Sequence, residues 1–547
     1  MTAVLPTTSA PATASSVSAP STWALLRLPL RLVRRGALLL WLGAAVYMAM
    51  EVVVYRETYP TAESLEQLRR LSSSSAVRMM QGDPGSVDTI GGFAVWDAGW
   101  MLFIIVASWA LLTVTRLTRG EEDAGRADVV LSRPLTAQAQ QRAALTTMLL
   151  CSLGLGVAAA VPFLLLGEGL AGTLIWGTGV AAFTMLMSSL GALVAQLVEP
   201  RRRAVSVGFA LLVAAYLVRV VANSAEEREW LLTLTPFGWA DRLHVFAENS
   251  WGWLLVPAAA GLLLSVVAVG LAARRDTGAA VLKDRAKRRS NSRMLGSAPA
   301  FGWRLGQGAL VAWGVILGVM SVVFGVMTDA LLELLEEDDG YRKTLEAMGV
   351  DLSEPLVGFL SYLAVSIAVT VAAFTGFRLG TLRQEEAEGR LDNLLVRGVV
   401  RWQWLALSTL LAVLAAGLLL VVSALGTWLG ARLVDAPLPL DQVVEPMAGT
   451  LPLVLFFVGL SVLTFGLAPR QTTVLPVTVA VVTYLLDTIG TALEWPSWVL
   501  GLSPFHHLAR LPGDPMTAGA TAGMTAAGLL LAVLGVVAFS RRDLRGP

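Results

Sequence analysis

Few residues in this chain of 547 have the types and spacing to do chemistry. Its histidines are His244, His506 and His507, and its single cysteine is Cys151. One thiol, one isolated imidazole and one adjacent pair do not give the ligand spacing of a metal cage, so no metal site is expected. No intrachain disulfide can form from one cysteine. The three lysines, Lys283, Lys287 and Lys343, follow Leu282, Ala286 and Arg342. A phosphate-cradling loop needs lysine directly after glycine and before Ser or Thr, so the chain carries no Walker motif. Its apolar stretches hold no Ser/His/Asp, HExxH or clustered carboxylate set, which argues against an embedded enzyme.

What the sequence does concentrate is charge, at two related places. Arg119–Pro134 reads RGEEDAGRADVVLSRP, and Arg383–Gly398 reads RQEEAEGRLDNLLVRG. At a constant offset, Arg119, Glu121, Glu122, Gly125, Arg126, Asp128, Leu131 and Arg133 recur as Arg383, Glu385, Glu386, Gly389, Arg390, Asp392, Leu395 and Arg397. A second pair follows: Trp230–Phe237 is WLLTLTPF and Trp498–Phe505 is WVLGLSPF. Pro200-Arg201 and Pro469-Arg470 also correspond. Such self-similarity marks a duplicated unit.

The elements that position these residues follow from composition. Only 15% of residues are charged, against roughly 25% in soluble domains, while 55% are hydrophobic and the mean hydropathy is +0.66. A soluble surface cannot be covered with so little charge, and the apolar runs are continuous rather than alternating as in a barrel. The expected fold is an all-α polytopic membrane protein. Twelve stretches reach spanning length, from Ala37–Tyr55 to Ala518–Phe539, the shortest being Val474–Ile489 with Pro476 near its start. They divide into two parallel six-helix repeats, 36–273 and 305–539, related by a pseudo-twofold axis along the membrane normal. A basic connector, 274–304, joins them, and 540–547 form a tail. Residues 1–22 read as a disordered Ser/Thr/Ala/Pro tail. Residues 23–35 place Arg27, Arg31, Arg34 and Arg35 on one helical face, suiting an interfacial helix; a basic flank that sets topology would look the same. With the N-terminus inside, roughly three-quarters of the 41 basic residues fall on the inner side, so both termini are expected in the cytoplasm.

The duplicated charged loops then lie inside, as amphipathic helices able to dock a partner. The duplicated Trp/Pro segments lie outside, as short re-entrant or interfacial caps that include Pro236, Phe237, Pro504 and Phe505. Arg219 and Asp487 occupy equivalent span ends with opposite charge. An ion pair between them would close the outer side of a cavity, although both could instead snorkel to headgroups. Tyr216 and Tyr484 sit one turn inward, and with Phe103 and Trp109 they offer an aromatic surface to a hydrophobic ligand. The acidic stretch Asp329–Glu346 reads as the solvated face of an external helix.

This arrangement resembles the permeases of the ABC-2 type, often called the type V exporter fold. The stretch EEAEGRLDNLLVRGVVRWQW (Glu385–Trp404) is similar to the family's E-E-x-x-G-x-x-x-x-L-L-x-R segment before a third span. The fused two-half form resembles actinobacterial exporters of polyketide antibiotics, the tetronasin-type group. The resemblance implies that the loops are coupling helices. Glu121, Glu122, Gly125 and Arg126, with Asp128 and Arg133, would meet one copy of a separate nucleotide-binding ATPase. Glu385, Glu386, Gly389 and Arg390, with Asp392 and Arg397, would meet a second copy. ATP and Mg would then be bound on the partner, with no cofactor on this chain and no nucleic acid involved. The expected protein is a multi-pass permease of a bacterial plasma membrane, in contact with lipid, exporting a hydrophobic small molecule. The competing expectation is a proton-coupled secondary drug transporter with 6 + 6 spans, against which the sequence sets its different loop pattern and scarcity of mid-span carboxylates.

Overall fold

The computed structural model describes residues 22–73, 75–126, 136–276, 278–282, 297–337, 355–396, 398–434, 436, 438–492, 495–508 and 518–543. Asp128, Arg133 and Arg397 lie outside the described residues, as does most of the basic connector. The chain forms two compact units, the first made of Met1–Ser73 and Arg78–Arg285 and the second of Ser74–Val77 and Ala286–Pro547.

In the first unit the helices are α1 (Thr22–Thr58), α2 (Ala62–Ser73), α3 (Ser75–Gln81), α4 (Ile90–Leu117), α5 (Arg119–Asp123), α6 (Ala137–Leu165), α7 (Leu170–Leu197), α8 (Arg201–Ala222), α9 (Pro236–Asp241) and α10 (Leu255–Arg274). A 3-10 turn, Glu226–Leu234, precedes α9. The second unit has α11 (Ala298–Glu337), α12 (Pro355–Ala387), α13 (Arg390–Leu395), α14 (Arg401–Leu433), α15 (Leu440–Gly449), α16 (Leu451–Leu467), α17 (Val474–Ala492), α18 (Ser497–Leu500) and α19 (Ala518–Arg541). A 3-10 turn, Pro504–His507, follows α18.

Helix starts follow ordinary capping. Thr89 accepts from the Gly92 N–H ahead of α4, and Thr136 accepts from Ala139 ahead of α6. In lipid, helix pairs gain by close packing over small residues. A Cβ at Gly156 of α6 would sit 2.2 Å from the Gly177 carbonyl of α7, and one at Gly459 of α16 would sit 2.1 Å from the Gly528 carbonyl of α19. Those crossings therefore require glycine.

Among the described residues, 11 helices are long and apolar enough to cross a membrane. The remaining expected stretch is covered by α17, whose Val474–Thr488 part is apolar and which runs on to Ala492. Two differences have local causes. The expected interfacial helix 23–35 is not a separate element, because α1 runs unbroken through it with Pro29 inside. At the eighth position of α1, Pro29 lies past the unpaired first turn and removes one interior backbone bond without ending the helix. The fourth span of the second half is jointed between α15 and α16, with Thr450 at the joint and Pro452 beginning the next turn. The acidic stretch begins as a continuation of α11 to Glu337, and its remainder, 338–346, lies outside the described residues.

Candidate functional site

Each unit folds its duplicated loop around two glutamates that do different things. In the first unit, α4 ends at Thr118 and α5 turns away at once. Gly125 then takes a left-handed conformation, with φ +67°. That conformation costs an L-residue side chain about 1–2 kcal/mol, and glycine avoids it. The turn brings Arg126 back onto Glu121, giving a two-pronged clasp with both N–H···O distances at 2.8 Å. The second unit repeats it. Gly389 has φ +68°, and Arg390 grips Glu385 at 2.8 and 2.9 Å. In both, the carboxylate raises the arginine pKa above its ordinary value, through a hydrogen bond that is strongest while the guanidinium is charged. Both clasps face solvent, Arg126 being 62% and Arg390 48% exposed.

The second glutamate points inward. Glu122 accepts from Arg119 at 2.9 Å and from both terminal nitrogens of Arg275, the residue just past α10. Arg119, fully buried, also donates to the Ala195 and Ala279 carbonyls at 3.0 and 3.1 Å. Burial and the neighbouring Arg275 push the Arg119 pKa below its ordinary value. The equivalent Glu386 is buried as well, and accepts from Arg542 at 2.9 Å, the residue just past α19. Each loop is thus latched to the end of the last spanning helix of its own unit. Gln196 and Asp123 complete the first latch: Arg275 Nε donates to Gln196, and Arg201 N–H donates to Asp123 at 2.7 Å. Asp392 is exposed on α13.

At the far end of α4 from this loop, the Trp/Pro segments form caps, also in duplicate. Pro236 begins α9, where its missing N–H costs nothing, and Pro504 begins the matching 3-10 turn. Thr235 Oγ1 donates to the Ala215 carbonyl of α8 at 2.7 Å, and Ser503 Oγ donates to the Thr483 carbonyl of α17 at 2.8 Å. Phe237 and Phe505 are buried, each edge-on to a tyrosine of the same helices, Tyr216 at 5.4 Å and Tyr484 at 5.6 Å.

The charges beside those tyrosines also bind their own caps. Arg219 is buried and grips Asp241 of α9 with Nε at 2.6 Å and a second nitrogen at 3.1 Å, while donating to the Met80 and Gln81 carbonyls at 2.6 Å. Asp487 lies 3.1 Å from His506 Nδ1. Arg219 and Asp487 each have a hydrogen-bonding partner within their own unit, Asp241 and His506. Both struts tie a charged side chain near a span end to its own cap, with a carboxylate as the partner in one and an imidazole in the other.

The expected aromatic surface is divided. Phe103 lies inside a ladder with Trp176 and Phe183, at 5.5 and 4.5 Å, and Trp109 packs beside Gly36 of α1. Tyr216 joins the ladder through Phe237, whereas Tyr484 contacts Tyr362 and Ser366 in the second unit.

Sequence reasoning missed three features. The latch partners Arg275 and Arg542 are remote in the chain. Asp241 was hidden among loop residues. Glu51 on α1 is buried beside Asp97 on α4, which accepts from Gln81 Nε2 at 2.9 Å. A lone glutamate inside the first apolar run was the available signal. Among the described residues no cluster of His, Cys, Asp and Glu has metal-binding geometry.

Residues 295–540 match the family model described as the C-terminal domain of the multidrug efflux system permease Rv1217c. Over 534 residues the chain is 31% identical to the multidrug efflux system permease protein Rv1217c of Mycobacterium tuberculosis, an alignment that takes in 96% of this chain and 95% of that relative.

Proposed function

The chain belongs to the family of the multidrug efflux system permease Rv1217c, and from that premise we propose that it is the membrane-spanning subunit of an ATP-binding-cassette exporter of hydrophobic small molecules. In this reading it has the ABC-2, type V arrangement, with both termini in the cytoplasm of a bacterium. The supporting observation is the duplicated loop. Each copy presents a solvent-facing Glu–Arg clasp and anchors it by a buried Glu–Arg latch to a spanning helix. A clasp offers a rigid, charge-patterned surface for a partner, and the latch carries displacement of that surface into the membrane. ATP would be hydrolysed on the partner, because no lysine here follows glycine. Two loops imply two ATPase copies. Polyketide-like antibiotics are the cargo class that the resemblance suggests.

The test is affinity purification of the tagged chain from its host, with stoichiometry by native mass spectrometry. One chain with two copies of a Walker-containing ATPase is the expected result. A chain that purifies alone and transports on an ion gradient sinks the proposal. One observation favours that second reading, a proton-coupled transporter: the Glu51–Asp97 carboxyl pair inside the spans. A proton ionophore that stops transport while ATP remains plentiful would decide for it.

A further inference from the structure

Arg27, Arg31, Arg34 and Arg35 of α1 are exposed, and none has a hydrogen bond or ion pair among the described residues. At 3.6 residues per turn their spacing keeps them within about 100° of arc on one face. Val33 and Ala37, on another side of the helix, are buried in the core of the first unit. No acidic residue precedes Glu51 in the chain. The carboxylates of the first loop are already engaged: Glu121 by Arg126, Glu122 by Arg119 and Arg275, and Asp123 by the Arg201 N–H. Arginines three and four residues apart repel one another, so the cluster favours an anion that comes from outside the chain.

The continuation of the same face narrows the class of that anion. Arg34, Leu38, Leu42, Val46 and Met50 follow one another at i+4 spacing, as neighbours along the helix surface, and the four apolar members are all exposed. Gly36–Tyr55 is about 30 Å of helix, the thickness of the hydrocarbon layer. The arginines therefore emerge among the headgroups while the apolar row runs beside the acyl chains. Because α1 is unbroken, charge and apolar row keep a fixed register. A free phosphate would meet only the charge, whereas a phospholipid fits both. The cluster is also not a general need of the repeated unit: α11, the first span of the second unit, has Arg304 as its single basic residue.

We propose that the N-terminal part of α1 is a binding site for an anionic diacyl phospholipid, whose phosphate pairs with Arg31, Arg34 and Arg35 and whose acyl chain lies along Leu38, Leu42 and Val46. The choice of the inner leaflet rests on the cytoplasmic N-terminus; the binding itself does not.

The test titrates the full chain in mild detergent with phosphatidylglycerol or with phosphatidylcholine of the same acyl chains, and counts bound lipids by native mass spectrometry. The first phosphatidylglycerol should bind on the order of a hundredfold more tightly than the first phosphatidylcholine, since each arginine at an anionic surface contributes about fivefold. Arg31→Gln, Arg34→Gln and Arg35→Gln together should abolish that preference. Each single change should weaken it about fivefold, and the single variants serve if the triple variant fails to fold. Arg116→Gln, Arg202→Gln and Arg541→Gln together remove as much charge from other exposed positions and should leave the preference intact. Glycerol phosphate, which has the headgroup chemistry without the chains, should not displace the lipid at equal concentration. Equal binding of the two lipids by the unaltered chain would overturn the site. So would an equal loss in the two triple variants, which would show a general charge effect. Displacement by glycerol phosphate would overturn the lipid as occupant in favour of a soluble phosphate. None of these measurements involves an ATPase, so this site and the exporter reading stand or fall separately.

Discussion

At the residue scale, adjacent glutamates carry unequal burdens. Glu122 is only 10% exposed between two guanidiniums, so Glu122→Ala strands Arg119 and Arg275 with no carboxylate. Breaking one partner of a buried pair costs about 3–5 kcal/mol, because the remaining charge is left uncompensated. Glu386→Ala strands Arg542 in the same way. Glu121→Ala opens a clasp whose arginine is mostly solvated, and exposed pairs contribute about 0–1 kcal/mol. Thermal unfolding of the solubilised chain should therefore fall clearly for Glu122→Ala and Glu386→Ala and barely move for Glu121→Ala and Glu385→Ala. Equal shifts at neighbouring positions would mean that the inward and outward roles are misassigned. The duplication in sequence located both glutamates but could not separate them. What separates them is the partner, and Arg275 lies far along the chain from Glu122. Arg275 and Arg542 are also not at the offset that relates the two loops, so alignment of the repeats passes over the latch.

At the element scale, two turns decide whether the clasps exist. Gly125 and Gly389 were visible as repeated identities, but their reason is conformational and appears only as φ near +67° in both loops. No neighbouring atom crowds either position, so Gly125→Ala and Gly389→Ala test backbone strain alone. Each should cost about 1–2 kcal/mol locally and swing the arginine off its glutamate. If the loops couple to an ATPase as proposed, slower export with an unchanged overall fold is the expected outcome, read by transport in vesicles beside circular dichroism. The caps obey a similar logic. Thr235→Val removes one hydroxyl-to-carbonyl bond worth about 1 kcal/mol, and Ser503→Ala removes the equivalent bond together with the one its hydroxyl accepts from the Phe505 N–H, freeing a cap to lift from its helix. Faster hydrogen exchange confined to Trp230–Asp241 or Trp498–His507 would register it. The caps were legible as Trp/Pro segments because proline and aromatic spacing is local information. The struts were half legible: Arg219 and Asp487 stood out as charges in apolar runs, yet their partners Asp241 and His506 sit in the short caps between spans, where polar residues are unremarkable.

At the scale of the whole molecule, the consequence of duplication is a count. Spans and halves were readable because hydropathy integrates over some twenty residues and tolerates local error. The joint at Thr450 escaped because a single turn of backbone sets it. If each loop receives one ATPase copy, reversing the clasp charge in one half should halve the stoichiometry without touching the other half. Glu121→Arg puts like charges side by side with Arg126 and opens the first clasp, while the buried Glu122 latch keeps the fold. Native mass spectrometry should then find one ATPase per chain, and the same for Glu385→Arg. The double variant should purify with none. The two loops differ in their exits, Ser132-Arg133-Pro134 in one and Val396-Arg397-Gly398 in the other, so the two single variants need not transport equally. Their counts should agree even so, because the clasp residues are the same on both sides. A single variant that keeps two copies would mean that the clasp is not the docking surface. One that loses both would mean that the ATPase binds only as a preformed pair, with neither loop sufficient by itself.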